Sequence, residues 1–418
     1  MRRHLTGPMS ILIAACLVLP LLLVAFAITP SASASNTNAP LQATARPTAR
    51  PTAKPKPKPR PKPTAKPVAK PTAKPAATAV PAPAADTGPR QLTAELKGSG
   101  ASFPNVLYQA WIQVYKDVVP GVSINYQSVG SGQGITDFIK YLTDFGGTDA
   151  AISEARVTGE APDALHVPMV LGAVVPTYNL PGITNLRFSG DSLAAIYLGR
   201  ATKWNDPIIA ADNPGVALPD KDITVVYRSD GSGTTSIWTD YLTKVNADWK
   251  GSVGSGTAVK WPAGIGAPQN AGVANTVKQT EGAIGYVELI YALANKLPAA
   301  PVKNAAGAFV DASLTSVGAA ASGIEYPASL AVSITNAPGG ESYPIAGFTY
   351  ILIRQQTYSD ANKAKALTDF LYWGLTEGQG ASSRLGYAPL PTKARQLAIA
   401  QLQKVRVNGE QVFTAPAK

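Results

Sequence analysis

Cysteine and histidine are scarce in this chain of 418 residues, and their scarcity limits the chemistry that it can support. Cys16 is the only cysteine, which excludes a framework of disulfide bonds. The two histidines, His4 and His166, lie far apart in sequence, and no Cys/His cluster has the spacing of a zinc or haem site. We therefore expect no metal and no cofactor.

Acidic residues are nearly absent from the first 90 positions, where Asp86 is the only one against 13 lysines and arginines. The whole chain has a net charge of +11, a balance that suggests nucleic acid or an anionic membrane as a partner. Residues 91–418, however, hold 24 cations and 25 acids, a net charge of −1. The basic excess belongs to an N-terminal arm, and we expect no nucleic-acid partner.

Residues 1–34 have the pattern of an export signal, which places the protein outside the cytoplasm, in the periplasm or on the outer face of the cell membrane. Arg2 and Arg3 precede an apolar run, and Ala32-Ser33-Ala34 is a small-residue cleavage site. Cleavage near this site is one fate of the segment. Retention as an anchor is another, because a run of about 18 apolar residues reaches the lower limit for a spanning helix. Lipidation at Cys16 is the third.

Residues 35–90 consist largely of proline-rich repeats such as Thr64-Ala65-Lys66-Pro67. Proline fixes φ, removes a backbone donor and pushes the preceding residue toward an extended conformation, and the repeated cations repel one another. We expect an extended, polyproline-like, disordered spacer without a core. It serves either as a solvated tether or as a contact with an anionic wall or membrane surface.

From residue 91 onward, short β-branched strands alternate with amphipathic helices, a pattern typical of an α/β fold with a largely parallel sheet. The expected strands are 93–96, 122–128, 167–178 and 223–227, and the expected helices are 105–118, 135–141 and one that follows residue 228 and runs through Val245. The apolar spacing of the first helix predicts that Val106, Leu107, Ala110, Trp111 and Val114 face the core.

Three strand ends run into small turns that start helices, at residues 100–102, 130–132 and 231–234. Helix N-termini present unpaired N–H groups and a partial positive charge, and glycine allows an anion to approach the backbone. One such turn is typical of a simple helix cap, but three of them, beside an Arg and an Asp, indicate a site for an oxyanion. No Walker motif, dinucleotide fingerprint or nucleophile elbow occurs, which disfavours a nucleotide-binding protein or a hydrolase.

Seven short motifs between residues 92 and about 410 together resemble a known family. They are Gly98–Pro104, Val129–Gly132, Asp144–Asp149, Ile196–Gly199, Lys203–Asp206, Arg228–Thr235 and Gly282–Tyr286. In this order and spacing they resemble the phosphate-binding proteins of high-affinity phosphate ABC importers. The resemblance implies a two-lobed periplasmic-binding-protein fold of type II, with phosphate in the cleft between the lobes.

The resemblance also implies a set of ligand-binding residues: Ser102, Phe103, Ser131, Asp149, Arg228, Asp230, Ser232, Gly233 and Thr234. Ser102 would offer its hydroxyl and N–H, Phe103 its N–H and Ser131 its hydroxyl. Asp149 would accept a proton from the ligand. Arg228, oriented by Asp230, would pair with phosphate oxygens, and residues 232–234 would donate from a helix start.

Phosphate at neutral pH keeps at least one P–O–H, whereas sulfate has none. Asp149 can accept from that hydroxyl but would oppose a lone pair of sulfate in a dry cleft, at a cost of several kcal/mol. A site that needs a ligand hydrogen can reject the analogue lacking it by about 10⁴-fold. The residues themselves therefore suit phosphate better than sulfate.

By the same resemblance, residues 91–418 form the phosphate-binding domain, with one lobe from about 92–173 and 347–418 and the other from about 174–346. Hinges are expected at the crossings near 174–178 and 345–348. The chain has no ATPase motif, so it would work as a monomer with separate permease transmembrane subunits and ATPase subunits. Three alternatives remain open: a phosphate-ester hydrolase that uses Ser131 or Ser232, a binder of another oxyanion such as sulfate or molybdate, and a wall-associated adhesive protein.

Overall fold

A computed structural model describes residues 91–416 of the chain, so the expected signal or anchor and the spacer lie outside the described residues. The strands in this range are β1 (Ala94–Gly100), β2 (Val122–Ser128), β3 (Phe145–Thr148), β4 (Ala164–Tyr178), β5 (Thr224–Arg228), β6 (Ile265–Ala267), β7 (Ala283–Glu288), β8 (Val302–Lys303), β9 (Phe309–Val310), β10 (Ala346–Arg354), β11 (Arg406–Val407) and β12 (Glu410–Gln411). None of the helices within residues 91–416 is long and apolar enough to cross a membrane.

The helices of the same range pack on the sheet and join its strands. They are α1 (Asn105–Val118), α2 (Ser131–Ile139), α3 (Glu154–Glu160), α4 (Gly190–Tyr197), α5 (Pro207–Asp212), α6 (Gly233–Val245), α7 (Ala247–Ser252), α8 (Gln269–Gln279), α9 (Leu289–Asn295), α10 (Leu314–Ala320), α11 (Ala361–Leu375), α12 (Gln379–Arg384) and α13 (Thr392–Leu402).

Eight strands form one sheet in the order β2-β1-β3-β10-β4-β7-β5-β6. Four of its pairings are parallel and three are antiparallel, so the sheet is mixed and the prediction of a largely parallel sheet was too simple. All three antiparallel pairings involve β4 or β10. These two strands are long and lie at the centre of the sheet, where they join its two sides.

Strand β4 changes partner along its length. Its residues from Ala164 to Ala173 pair with β10, and its residues from Val174 to Tyr178 pair with β7. The first lobe therefore has β1, β2 and β3 beside this pair of central strands, and the second lobe has β5, β6 and β7. The expected α/β fold with two lobes is confirmed.

The first helix shows how the local pattern becomes packing. Helix α1 spans Asn105–Val118, as predicted, and buries Leu107, Tyr108, Trp111 and Tyr115, which repeat at the spacing of one helical face. Val114, predicted to face the core, is half exposed. The next residue, Tyr115, takes the buried position, because its ring packs on Phe370 and Trp373 and its hydroxyl donates to Asp369.

Each lobe holds parallel strands whose carboxyl ends lie at one edge of the sheet. In the first lobe β1, β2 and β3 are parallel and end just before Ser102, Ser131 and Asp149. In the second lobe β5, β6 and β7 are parallel, and β5 ends at Arg228. Ligands of open α/β sheets bind beyond the carboxyl ends of the strands, and the sequence-predicted site residues lie there in both lobes.

Candidate functional site

Asp149 is the acceptor group on the first lobe's side of the cleft. It follows β3 directly, and its side chain is buried, with 6% of the residue exposed. Its Oδ1 accepts a hydrogen bond from the Thr349 hydroxyl at 2.8 Å. Its backbone N–H donates to Ser131 Oγ at 3.2 Å, and Ser131 Oγ lies 3.4 Å from Oδ2. The structure thus brings Ser131 and Asp149 together, with Oδ2 held less tightly than Oδ1.

Burial raises the pKa of Asp149 to about 7, against the opposing effects of the Thr349 hydroxyl, the charge of Arg228 and the Ser131 hydroxyl. A carboxyl that is removed from water is harder to ionise. Its charge state therefore changes near neutral pH, so the group is an acceptor above that pH and a donor below it. Perturbed carboxyls in clefts often mark functional sites.

Arg228 is the cation on the second lobe's side, and Asp230 holds it in place. The Arg228 Nε donates to Asp230 Oδ1 at 2.8 Å, and its Nη2 donates to Oδ2 of the same carboxylate. The Arg228 side chain is buried, whereas that of Asp230 is 19% exposed. Burial alone would raise the pKa of Asp230, but the hydrogen bonds and charge of Arg228 and the N–H of Gln269 lower it below its ordinary value.

Helix α6 begins at the cleft with the sequence Ser232-Gly233-Thr234. Ser232 is its N-cap, and the Ser232 Oγ accepts the Thr235 N–H at 3.0 Å. The Ser232 N–H donates to the Thr257 carbonyl at 2.8 Å, so this N–H is already engaged within the second lobe. The hydroxyl of Ser232 and the first N–H groups of the helix remain as donors at its positive end.

Asn270 links the two sides of the cleft and was missed by the sequence analysis. Its Nδ2 donates to Ser102 Oγ and to Thr234 Oγ1, each at 3.0 Å, and its backbone N–H donates to Ser102 Oγ at 3.2 Å. Asn270 itself is fixed by the Glu288 N–H, which donates to its Oδ1. It follows β6 and Pro268 at the start of α8, so the strand–turn–helix pattern that marked the other turns could have found it.

The two sides of the cleft are in contact at their glycines. The Gly132 N–H donates to the Gly231 carbonyl at 2.8 Å. Gly130 has a φ of +92°, and a Cβ at this position would lie 2.3 Å from Asp230 Oδ2. A Cβ on Gly233 would lie 2.5 Å from Ser131 Oγ. These positions need glycine because side chains of the opposite lobe lie so close to their backbone.

The side chains of Phe103 and His166 are buried and contact other parts of the protein. The Phe103 ring is fully buried against Tyr387, whose hydroxyl donates to the Phe103 carbonyl at 2.7 Å. Phe103 is next to Ser102, so its N–H lies at the same turn. His166 is buried and accepts the Ile152 N–H at Nε2, and burial lowers its pKa to about 4. Within residues 91–416 there is no group of three or more His, Cys, Asp or Glu that could hold a metal ion.

The structure therefore gathers the sequence-predicted residues into one site. Ser131, Asp149 and Gly233 are in contact, Arg228 bonds Asp230 and Thr234, and Asn270 ties Thr234 to Ser102. Hydroxyls, helix N–H groups and one guanidinium can donate to an anion there, and Asp149 can accept one proton from it.

Comparisons with known proteins match this chain to a binding-protein superfamily and to phosphate-binding proteins. A family model described as a PBP superfamily domain matches residues 70–377. The phosphate-binding protein PstS of Xylella fastidiosa (strain 9a5c) is 44% identical over 301 residues, which cover 71% of this chain and 82% of that protein. The phosphate-binding protein PstS of Pasteurella multocida (strain Pm70) is 42% identical over 310 residues, 73% of this chain and 89% of that protein.

This chain also matches solved structures with a similar fold over nearly the whole length of those structures. A high affinity periplasmic phosphate-binding protein (PfluDING) bound with phosphate matches with a TM-score of 0.61 and 25% identity, over 73% of this chain and 93% of that chain. A phosphate binding protein from Stenotrophomonas maltophilia matches with a TM-score of 0.59 and 21% identity, over 74% and 94% of the two chains.

Proposed function

This chain belongs to the PBP superfamily and, within it, to the family of the phosphate-binding protein PstS, and we propose that it captures inorganic phosphate in its interlobe cleft. It delivers the ion to an ATP-driven permease built from separate transmembrane and ATPase subunits. The names of its relatives support this function, since they are phosphate-binding proteins at 42% and 44% identity. The function is binding and transport, without catalysis.

The pattern of hydroxyl bonding carries the proposal. The oxygens of Ser102 and Thr234 each accept an N–H from Asn270, and the oxygen of Ser232 accepts one from Thr235. Because the acceptor positions of these hydroxyls are occupied by protein donors, their protons are left to bond an incoming anion. Phe103, Ser131, Arg228, Gly233 and Thr234 complete the donor set, and Asp230 orients Arg228.

Asp149 is the acceptor that selects phosphate in this proposal. Above a pH of about 7 it is ionised and can take the proton of a P–O–H, which sulfate lacks. With sulfate, two acceptors would face each other in a site without water, and the affinity would fall by about 10⁴-fold. Molybdate is rejected for the same reason when it carries no proton.

Closure brings the two lobes together around the ion. We place the hinges where the chain crosses between lobes, at 174–178 in β4 and near 345–348 at the start of β10, because β4 changes its pairing partner between Ala173 and Val174. The protein works as a monomer outside the cytoplasm. Its basic N-terminal segment serves either as a solvated tether or as a contact with an anionic wall or membrane surface.

Calorimetry on the purified full-length protein at pH 8 tests the function. We expect heat on addition of phosphate and of arsenate, which also carries a proton, and at least 10⁴-fold weaker binding of sulfate. In Asp149→Asn the amide can donate to sulfate, so the preference for phosphate should largely disappear. A wild-type protein that gives no heat with phosphate contradicts the proposal, and release of phosphate from a model ester would show catalysis instead.

A further inference from the structure

Thr349 lies on β10, outside every motif that marked the site. It is fully buried, and its Oγ1 donates to Asp149 Oδ1 at 2.8 Å. The two residues are 200 positions apart in sequence but face each other across neighbouring strands. Strands β10 and β3 are antiparallel and pair Tyr350 with Thr148, so Thr349 and Asp149 form the next pair beyond the end of β3.

A bulge in β4 lies opposite this position, because Met169 has no partner on β10. The register between β10 and β4 shifts between Thr349 and Tyr350, where Thr349 pairs with Val170 and Tyr350 pairs with Pro168. Proline has no N–H for a regular ladder, and β-bulges next to functional sites redirect a side chain. The bulge in β4 thus lies opposite the residue whose hydroxyl meets the acceptor carboxylate.

The carboxylate oxygens of Asp149 have different neighbours. Thr349 occupies Oδ1 at a short distance, whereas Oδ2 lies 3.4 Å from Ser131 Oγ. Oδ2 also lies beside the start of α6, because a Cβ on Gly233 would be 2.6 Å from it. The hydrogen bond from Thr349 therefore turns Oδ1 of Asp149 toward β10 and leaves Oδ2 facing the start of α6.

We propose that Thr349 is a positioning residue for selectivity: by holding Oδ1 of Asp149, it keeps Oδ2 in the cleft as the acceptor that distinguishes phosphate from sulfate. The proposal rests on the proposed function, because it concerns the same site. It adds a residue of β10, the second strand that crosses between the lobes. Asp149 is then held by β10 as well as by the turn that follows β3.

The ionisation of Asp149 agrees with this role. The Thr349 hydroxyl is the foremost of the groups that counteract the rise in the pKa of Asp149 caused by burial, since a hydrogen bond to the ionised form favours ionisation. The charged and titratable groups that face Asp149 from the packed elements are Arg228, Glu288, Tyr108, Tyr126, Tyr291 and Tyr387. Burial raises the pKa of Glu288 well above its ordinary value. Burial also raises the pKa of each tyrosine, so the tyrosines are neutral near pH 7, and Arg228 is the cation that faces Asp149.

The test compares Thr349→Val, which keeps the shape and loses the hydroxyl, with Thr349→Ser, which keeps the hydroxyl. Phosphate and sulfate affinities are measured by calorimetry between pH 5 and 9. In the wild type, sulfate binding should appear as the pH falls through about 7, where Asp149 gains a proton and becomes a donor. In Thr349→Val that onset should move up by about one pH unit, and the phosphate affinity at pH 8 should fall by about tenfold.

Thr349→Ser should restore the wild-type profile. A Thr349→Val protein with an unchanged sulfate onset, or a Thr349→Ser protein that behaves like the valine variant, would overturn the proposal. The carboxyl pKa of Asp149 is also measured without any ligand, from infrared difference spectra against Asp149→Asn. A rise in the valine variant supports the role of Thr349 even if phosphate fails to bind, and no rise contradicts it, so the two proposals fail separately.

Discussion

The two walls of the cleft are built alike but do different chemical work. The acceptor wall, from the first lobe, consists of Ser102, Ser131, Asp149 and Thr349. The donor wall, from the second lobe, consists of Arg228, Ser232, Gly233, Thr234 and Asn270. Apart from Thr349, which lies within β10, the residues of both walls follow the carboxyl ends of parallel strands. Only the acceptor wall carries a carboxylate whose pKa is raised by burial.

The comparison of the two walls separates the groups that attract an oxyanion from the group that selects phosphate in the proposed function. The donor wall offers a guanidinium and a helix start that any tetrahedral oxyanion could use. Because Asp230 pairs with Arg228, much of that wall acts through dipoles and not through net charge. In the proposed function, the acceptor wall adds Asp149, the group that requires a proton on the ligand. Recognition of phosphate in this proposal therefore needs both walls at once. A substitution that disrupts the contact between the walls should have the largest effect on binding.

Gly233→Ala should have the largest effect, because it separates the walls. The new Cβ would lie 2.5 Å from Ser131 Oγ and 2.6 Å from the Asp149 Cβ, closer than such atoms approach, so the cleft could not close fully. Overpacking of this kind costs up to about 3 kcal/mol. We expect the phosphate affinity to fall by about 100-fold, as measured by calorimetry.

Gly251→Ala is the matched control for that variant. Gly251 lies in α7 of the second lobe, and a Cβ there would meet nothing within 4 Å. Its phosphate affinity should equal that of the wild type. If Gly233→Ala binds phosphate as well as the control does, the walls do not meet around the ligand as we propose.

Arg228→Lys tests the donor wall alone and should have an intermediate effect. Arg228 uses Nε and Nη2 on Asp230 and Nη1 on Thr234, a planar arrangement that a lysine ammonium cannot reproduce. The hydrogen bonds of charged groups contribute about 1.5–3 kcal/mol, so we expect about a 20-fold loss of phosphate affinity. Sulfate should lose affinity by the same factor, since this wall does not distinguish the two ions.

Arg200→Lys controls for the exchange of the two cations. Arg200 forms an exposed ion pair with Asp248 in the same lobe, and such pairs contribute little. A change in the ratio of phosphate to sulfate affinity in Arg228→Lys would contradict the division of labour between the walls.

The sequence predicted the donor wall better than the acceptor wall, for a physical reason. Residues 228–235 are consecutive and run from the end of β5 through a short turn into α6, so their roles can be read from a short motif. Asp149 was also predicted, but its partner Thr349 is 200 residues away and is brought to it only by the pairing of β10 with β3. Strand pairing over such a distance leaves no local pattern. Asn270 was missed because its turn, Ala267-Pro268-Gln269, has none of the glycines and serines that mark the other three.

Local predictions failed where close packing overrides propensity. Helix α2 was expected at 135–141 but begins at Ser131 and ends at Ile139, because the glycines read as a turn lie inside the helix. A Cβ on Gly134 would lie 2.4 Å from the Gly100 Cα, so these glycines allow the helix to approach β1 and offset their low helix propensity. The two-lobed periplasmic-binding-protein fold that the motifs implied is confirmed.

Substitution of Gln269 should have the smallest effect on phosphate affinity. Gln269 connects the two lobes at the rim of the cleft but is not one of the residues proposed to bind phosphate. Its Nε2 donates to the Ser128 carbonyl at 2.7 Å, and its Oε1 accepts from Ser128 Oγ at 3.3 Å. Because these bonds join residues of different lobes, we expect them to form only in the closed state, so Gln269→Ala should weaken that state by about 1 kcal/mol, about fivefold in phosphate affinity. The dissociation rate of phosphate should rise by the same factor while the preference over sulfate stays unchanged. Ser128→Ala removes only the longer of the two bonds and should cost less, and a loss of selectivity in either variant would mean that the rim also shapes the acceptor wall.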